Sequence, residues 1–387
     1  MMEIAKNMGL IKEKIYALYK KLQSSSFVAT VSSYLYVRVF SRIQSKNSAP
    51  TFNKKTIPAL PKIAFVCDDM TWQDFKDECN SIYLTPYNWR KVFQTFCPDI
   101  FFCESTWSGI TEHSNCWRGQ VYKNKNVRYD NRRELMQVLD YCKNNGIPTV
   151  FWNKEDPTFW GDETYNFVDT ALHFDHILTT AQECIPDYKQ LGHKSVNVLM
   201  FGFSPNIFFF DSSIKKAKKA VFAGSWYTDQ PKRCAKMEAI FDMVLQHGIP
   251  LEIYNRQSDS SNPVHKFPEK YKQFLRPRVP FSELGDIFRN SVYAISINTV
   301  TTSETMFARR VFEAMACGCM LISNDSVGLK KLFPGRIWLL NEPFEHEKAE
   351  EIILKNQQDV YKNHTCKQRL SEVMEICEQP ASFKRKE

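Results

Sequence analysis

Two successive sets of short runs, each apolar on both alternating faces, restrict the fold of this chain more than any other feature. The first set is Ile63 to Cys67, Ile100 to Cys103, Thr149 to Trp152, Ile177 to Thr180 and Val196 to Met200. A strand with one wet face alternates apolar and polar residues. A strand apolar on both faces must be covered on both, the condition of a parallel sheet between layers of helix. Helical stretches stand between the runs, and the clearest, RRELMQVLDYCKNNGIP, sets Leu135, Val138, Leu139 and Cys142 on one side before stopping at Gly146. After the polar, lysine-rich crossing FGFSPNIFFFDSSIKKAKK the pattern restarts. Its runs are Ala220 to Ala223, Leu251 to Tyr254, Val292 to Ile297, Met320 to Ser323 and Ile337 to Leu340, with CAKMEAIFDMVLQHG as a helix between the first two. The expected fold is α/β, two Rossmann-like domains facing one another across a cleft. The boundaries fall at 59–207 and 208–387, after an N-terminal extension at 1–58, with the last helix able to pack back on the first domain.

A length of 387 residues with a 43% hydrophobic share supports two cores of ordinary size rather than one. The 12 cysteines form no C-x-x-C pair, and Cys317 and Cys319 flank a glycine, so they read as reduced thiols, not zinc ligands. No leader and no apolar run of about 20 residues is present, so the expected location is the cytoplasm. A net charge of +8 admits nucleic acid, an anionic membrane or a phosphorylated substrate. No basic run has nucleic-acid motif spacing, so nucleic acid is not expected as a partner. In the extension, Ile4, Met8, Ile11, Ile15, Leu18 and Leu22 form one helical stripe, with Lys6, Lys12, Lys14, Lys20 and Lys21 on the other faces. This basic amphipathic helix suits the inner face of the cell membrane as a peripheral contact, and equally suits packing on its own protein or on a second copy. SKNSAPTFNKKTIPALP follows as a linker.

In an open α/β sheet ligands gather beyond the carboxyl ends of the strands. That rule selects Asp68, Asp69, Glu104 with Trp107, and Asn153 to Asp156 in the first domain. In the second it selects Gly224, Ser225, Trp226, Asn255, Arg256 and Asn298 to Thr302. The segment SETMFARRVFEAMACGCMLISND adds a helix expected to begin near Ser303 and to end at Gly318. Arg309 and Arg310 lie four and three residues before Glu313, so all three reach one polar edge. An ordinary intrahelical ion pair is one reading. The other is a ligand edge, with the helix N-terminus, Ser303 and Thr305 offering donors to phosphate and a carboxylate further on holding a ribose diol.

RRVFEAMACGCMLIS resembles the signature of the group 1 glycosyltransferases of the two-Rossmann GT-B fold. The wider set FVCDDM, PDIFFCESTW, IPTVFWNKEDP, FDHILTT, FAGSWY and SETMFARRVFEAMACGC is similar to the CgeB-like subgroup, over about residues 62–340. The resemblance implies that Glu313 binds the ribose of a nucleotide-sugar donor and that Ser225 with Lys232 or Arg233 holds its diphosphate. It also implies that Gly202 and Pro205 shape the interdomain crossing, and that the product belongs to cell-surface polysaccharide. Many group 1 enzymes carry a glutamate eight positions before the ribose-binding one. Thr305 stands there, with Glu304 one residue earlier, and a one-residue slip turns a helical side chain by about 100°.

Breaking a sugar–phosphate bond builds negative charge on the departing diphosphate, and Arg309, Arg310, Lys232, Arg233 and Arg256 are the candidate cations. Gly224, Asn255 and Thr305 complete the expected donor set. Glu155, Asp156, Glu104 and Asp68 compete for the catalytic role at the acceptor hydroxyl. Asp68 with Asp69 makes a poor metal site without further ligands, and His173, His176 and His193 have no ligand spacing, so no metal or other cofactor is expected. Trp107, Trp117, Trp152 and Trp160 are candidates for an acceptor platform or for core. The expected partners are a nucleotide-sugar donor and a glycan or lipid-linked glycan acceptor, with a retaining, metal-independent transfer. A nucleotide-dependent polyol-phosphate transferase and an inactive two-domain scaffold remain the alternatives.

Overall fold

The computed structural model describes residues 26–35, 57–113 and 115–378. The basic stripe at residues 4–23 and most of the linker lie outside the described residues. Of the extension, the helix Ser26–Leu35 packs on the first domain: its Ser33 hydroxyl lies 3.0 Å from the Tyr129 hydroxyl, and Thr30 Oγ1 accepts a hydrogen bond from the Arg128 amide. No described helix is long and apolar enough to cross a membrane.

Both apolar sets form parallel sheets. The first contains β1 (Lys62–Val66), β2 (Asn80–Tyr83), β3 (Ile100–Glu104), β4 (Thr149–Asn153), β5 (His176–Thr179) and β6 (Val196–Val198), in the order β2-β1-β3-β4-β5-β6. The second contains β7 (Ala217–Gly224), β8 (Leu251–Asn255), β9 (Leu275–Arg276), β10 (Ser291–Ser296), β11 (Met320–Ser323) and β12 (Trp338–Leu339), in the order β12-β11-β10-β7-β8-β9. Each sheet has one strand that the apolar pattern did not predict, β2 and β9. Both are edge strands, and β9 is cut short by Pro277.

Side-chain alternation divides the second sheet between two cores. Ala220, Phe222, Tyr293, Ile295, Met320 and Ile322 face the helix Pro231–Gln246, packing with Met237, Ile240 and Phe241. Val221, Ala294 and Leu321 face the other way, into a core shared with the helix Arg310–Ala316 and continuous with the first sheet. The two sheets are therefore joined by packed apolar surface as well as by the chain crossing between them.

The chain end returns to the first domain, where the helix Cys366–Glu378 packs against the helix Asp69–Phe75. Arg369, buried at its start, donates to the Phe201 carbonyl at 3.0 Å and pairs with Glu372 at 2.6 Å. Backbone meets backbone closely at two points on this seam. A Cβ on Gly202 would stand 3.1 Å from the His364 carbonyl oxygen, and one on Gly285 would stand only 2.0 Å from that of Ile207. The second clash falls on backbone that no rotamer change relieves. Gly285→Ala is expected to destabilise the protein by about 1–3 kcal/mol or more, read as a lower melting temperature, and an unchanged value would show that the crossing is not close-packed there.

Candidate active site

Strand order reverses beside β7, which has β8 on one side and β10 on the other, and beside β1, flanked by β2 and β3. The crevices at the carboxyl ends of β7 and β10, and of β1 and β3, are therefore the places where ligands are accommodated. At the first stands Ser225, buried directly beyond β7. Its carbonyl accepts from Arg233 Nη1 at 3.0 Å, and its hydroxyl accepts a longer bond, 3.4 Å, from Arg256 Nε. Arg256 also donates to the Tyr227 hydroxyl at 3.0 Å, and the Arg233 guanidinium lies 5.4 Å from the Tyr227 ring centre. Burial alone would raise the Tyr227 pKa, yet Arg256 and its neighbours hold it below the ordinary phenol value. Arg310 lies over the Phe222 ring at 5.3 Å. Burial brings its pKa down to about 10; Glu313 opposes the shift, while Arg256 and Arg233 add to it. Among the described residues none of Arg233, Arg256 and Arg310 makes a salt bridge to a carboxylate, and Arg310 Nε is buried without a hydrogen-bond partner. Lys232, by contrast, is exposed, and Asn255 spends its side-chain oxygen on the Gln257 amide. Gly224 fits because a Cβ there would stand 2.6 Å from the Phe222 ring.

The arginine helix begins later than the sequence suggests. It spans Arg310–Ala316, because Ser303 Oγ accepts from the amides of Thr305 and Met306 in a local turn, and Asn298 Oδ1 takes the Ala308 amide at 2.8 Å. The amides of Val311, Phe312 and Glu313 bond back to Ala308 and Arg309. The helix start therefore does not offer these amides to phosphate, which corrects the expectation of an N-terminus at Ser303. Thr305 is also committed elsewhere. Its hydroxyl donates to the Thr180 carbonyl at 2.8 Å and accepts from the Gln182 amide at 2.9 Å, both in the first domain. Glu304 accepts from Gln182 and pairs with Lys331, and Ser303 donates to Glu183. The loop thus fastens the two domains together.

Arg309 turns away from the other arginines. Its Nη2 lies 2.9 Å from Asp74 Oδ2 and its Nε 3.6 Å from Glu313 Oε1, with the rings of Phe201 and Phe281 at 5.5 and 5.6 Å. Asp74 and Glu313 are both buried, and Glu313 Oε1 has no hydrogen-bond partner. Burial raises the Glu313 pKa against the pull of Arg309 and Arg310, and takes Asp74 up to about 7 against the pull of Arg309. No sequence signal marked Asp74, one acid on a short amphipathic helix.

At the first-domain crevice the charged groups are mutually satisfied. Glu104, fully buried, accepts from Lys154 Nζ at 2.9 Å, from the Asp68 amide at 2.5 Å and from the Thr71 hydroxyl. Asp68 accepts from the amides of Trp107, Ser108 and Gly109 at 3.0, 3.0 and 2.7 Å. Lys154 is kept charged, because Glu104 and Asp68 outweigh the cost of its burial. Asp156 is turned into the interior. Its oxygens accept from Asn153, Thr179 and Tyr188 at 2.7, 2.7 and 3.0 Å. Glu155 remains half-buried, holding Trp107 Nε1 at 2.9 Å, and burial raises its pKa. Trp107 itself is enclosed by Tyr122, Phe159, Tyr165 and Phe167, while Trp117 and Trp152 belong to the core. Among the described residues no three His, Cys, Asp or Glu side chains converge to hold a metal ion.

Comparison with known proteins bears on the fold and on part of the second domain. Residues 238–375 match the model of the glycosyl transferase-like family. No curated protein matches the sequence. An α-glucosyltransferase in complex with UDP-glucose and DNA containing an abasic site superposes with a TM-score of 0.52 at 11% identity, covering 82% of this chain and 99% of that one. An α-glucosyltransferase (AGT) in complex with UDP gives a TM-score of 0.51 at 12% identity, with 82% and 99% covered. At such identities the likeness is one of fold. The two facing parallel sheets are the GT-B arrangement, which these glucosyltransferases share with this chain as a fold. The DNA belongs to the neighbour.

The buried Asp156 carries a pH signature. Burial takes its carboxyl from 3.8 to about 7, so between those values the folded state holds a proton that the unfolded state releases. The associated stabilisation is complete below about pH 4 and is lost as the pH rises through 7. Asp156→Asn is expected to remove that part of the decline in unfolding free energy between pH 5 and pH 8, leaving the part from Asp74. An unaltered pH profile in denaturant titrations would show that Asp156 is ionised throughout.

Proposed function

We propose that this protein transfers a sugar from a nucleoside diphosphate sugar to a hydroxyl of a glycan or lipid-linked glycan, in the assembly of cell-surface polysaccharide. The observation that carries the reading is the convergence of Arg233 and Arg256 on Ser225 at the β7–β10 crevice, with Arg310 within electrostatic reach of both beside the buried Glu313, and none of the three in a salt bridge to a carboxylate among the described residues. A departing diphosphate gathers negative charge as the sugar bond breaks, and fixed cations in a partly desolvated site lower that barrier. Three guanidiniums supply this charge from the protein, which supports a metal-independent reaction. Glu313 takes the ribose hydroxyls, and Arg309 serves the site indirectly through Glu313. On the acceptor side Asp68, Glu104 and Asp156 spend their oxygens on internal partners, so Glu155 is the carboxyl assigned to the acceptor hydroxyl. In the retaining transfer proposed here the departing phosphate takes the acceptor proton, and Glu155 orients the acceptor hydroxyl rather than deprotonating it.

Melting temperature against UDP, GDP, CDP, ADP and dTDP tests the donor site, with UDP the first choice because structural neighbours bind it. A nucleotide at 100 times its dissociation constant should stabilise the fold by about 2.7 kcal/mol. Arg310→Ala should then weaken the preferred nucleotide roughly 10- to 100-fold, the range of a lost charge-assisted contact. Glu313→Ala should cost more in nucleotide affinity than in stability. Silence from all five nucleotides would reject the reading.

The lysine-rich segment at residues 4–23 supports a cytoplasmic protein held at the inner membrane face. Replacing Lys6, Lys12, Lys14, Lys20 and Lys21 by Gln should abolish co-sedimentation with anionic vesicles, and retained binding would assign the segment another role.

A further inference from the structure

The helix Asp69–Phe75 leaves β1 and carries Thr71 and Asp74 three residues apart, hence on one face. Thr71 hydrogen-bonds Glu104, the acid that holds Lys154 in the first-domain crevice. Asp74 crosses to the other domain and meets Arg309 at 2.9 Å. Arg309 in turn stands 3.6 Å from Glu313. One short helix thus touches the acceptor crevice with one side chain and the nucleotide side with the next on the same face.

We propose that Asp74 is a positioning residue of the nucleotide site: from the opposite domain it fixes Arg309 beside Glu313, so that Glu313 takes its ligand-binding setting only while the two domains are closed. The inference rests on the nucleotide-site reading given above and adds a residue that neither the strand-end rule nor the family resemblance selected.

Three features carry it. Asp74 is fully buried and Arg309 nearly so, and a buried pair of this kind is a poor source of stability compared with apolar packing of the same volume. What such a pair does supply is a fixed direction for the guanidinium. Arg309 is flanked further by the rings of Phe201, from the interdomain crossing, and Phe281, from the second domain. Finally, Glu313 Oε1 has no hydrogen-bond partner and its setting depends on the arginines beside it. When the domains part, Arg309 loses Asp74, and Glu313 becomes the only carboxylate within ion-pair distance of it among the described residues. A guanidinium drawn fully onto Glu313 would compete with the ribose hydroxyls.

The test is a double-mutant cycle on UDP affinity measured by calorimetry, using the full chain as wild type, Asp74→Asn, Glu313→Gln and the double variant. Asp74→Asn is expected to weaken UDP about tenfold, the equivalent of 1.4 kcal/mol. The double variant should be no weaker than Glu313→Gln alone. If the two losses multiply, or if Asp74→Asn binds UDP as wild type does, the proposal is overturned. Should Asp74→Asn fail to fold, the pair Asp74→Leu with Arg309→Met removes both buried charges together. It should lose UDP affinity to a similar extent at an undiminished melting temperature, and wild-type affinity in that variant would also overturn the proposal. A wild-type protein that binds neither UDP nor the other four nucleotides would overturn the nucleotide-site reading itself, and this inference with it. UDP binding that is indifferent to Asp74 would overturn this inference alone.

Discussion

Covering a parallel sheet on both faces leaves one edge of it for chemistry, and the rest of this molecule follows from that constraint. Along β7 the side chains of Ala220 and Phe222 enter one core and Val221 the other. Within the buried half of the strand no charge enters, and Ser225 stands at the crevice directly after Gly224, where the strand stops. The Phe222 ring links the two conditions. Its proximity excludes a side chain at Gly224, and its face carries Arg310. Packing below the crevice thus decides which cation stands in it.

Beside its packed apolar surface, the domain interface carries polar contacts of two energetic kinds. The bonds joining Thr305 to Thr180 and Gln182, Glu304 to Gln182, and Ser303 to Glu183 are neutral or partly exposed, and each is worth roughly 1 kcal/mol net against water. Opening the cleft replaces them with hydration at little cost. The Asp74–Arg309 pair behaves differently, since its charges are strongly desolvated when closed and regain water when open. Its Coulomb attraction favours closure while its desolvation favours opening. The two partly offset, so the pair gives the interface direction, while the continuous apolar core supplies its cohesion.

How far the sequence can be read depends on whether a feature is local. Strands apolar on both faces are legible because burial on two sides writes itself into every residue, and these runs fixed the α/β expectation. The edge strands β2 and β9 lack that signature, since Asn80 and Ser81 open the first and Arg276 before Pro277 closes the second. Ser303 misleads for a physical reason: a serine that accepts from the amides two and three residues on looks like a helix cap in sequence, yet here it closes a turn seven residues before the helix. The site residues just beyond strands, Ser225, Arg256, Asp68 and Glu104, were reachable from strand ends alone. What each does was not, because the partners of Asp68 and Glu104 come from segments 33 to 50 residues away. Asp74 is the extreme case, its meaning residing wholly in Arg309 of the other domain.

Electrostatic compensation separates the two crevices, although both stand at the same topological position. In the first domain Lys154 sits between Glu104 and Asp68, and the remaining lone pairs of those acids accept from amides and a hydroxyl. That crevice has a rigid, internally balanced floor, suited to an uncharged hydroxyl-bearing molecule that must be oriented without strong attraction. In the second domain Arg233, Arg256 and Arg310 stand close enough that repulsion contributes to the lowered pKa of Arg310, with Glu313 the main counterweight. Uncompensated positive charge held in place by packing is strained until an anion arrives, and an anion gains most where that repulsion is relieved. The asymmetry supports the proposed placing of the phosphorylated substrate at the second domain and of a neutral one at the first, on electrostatic grounds separate from the family resemblance.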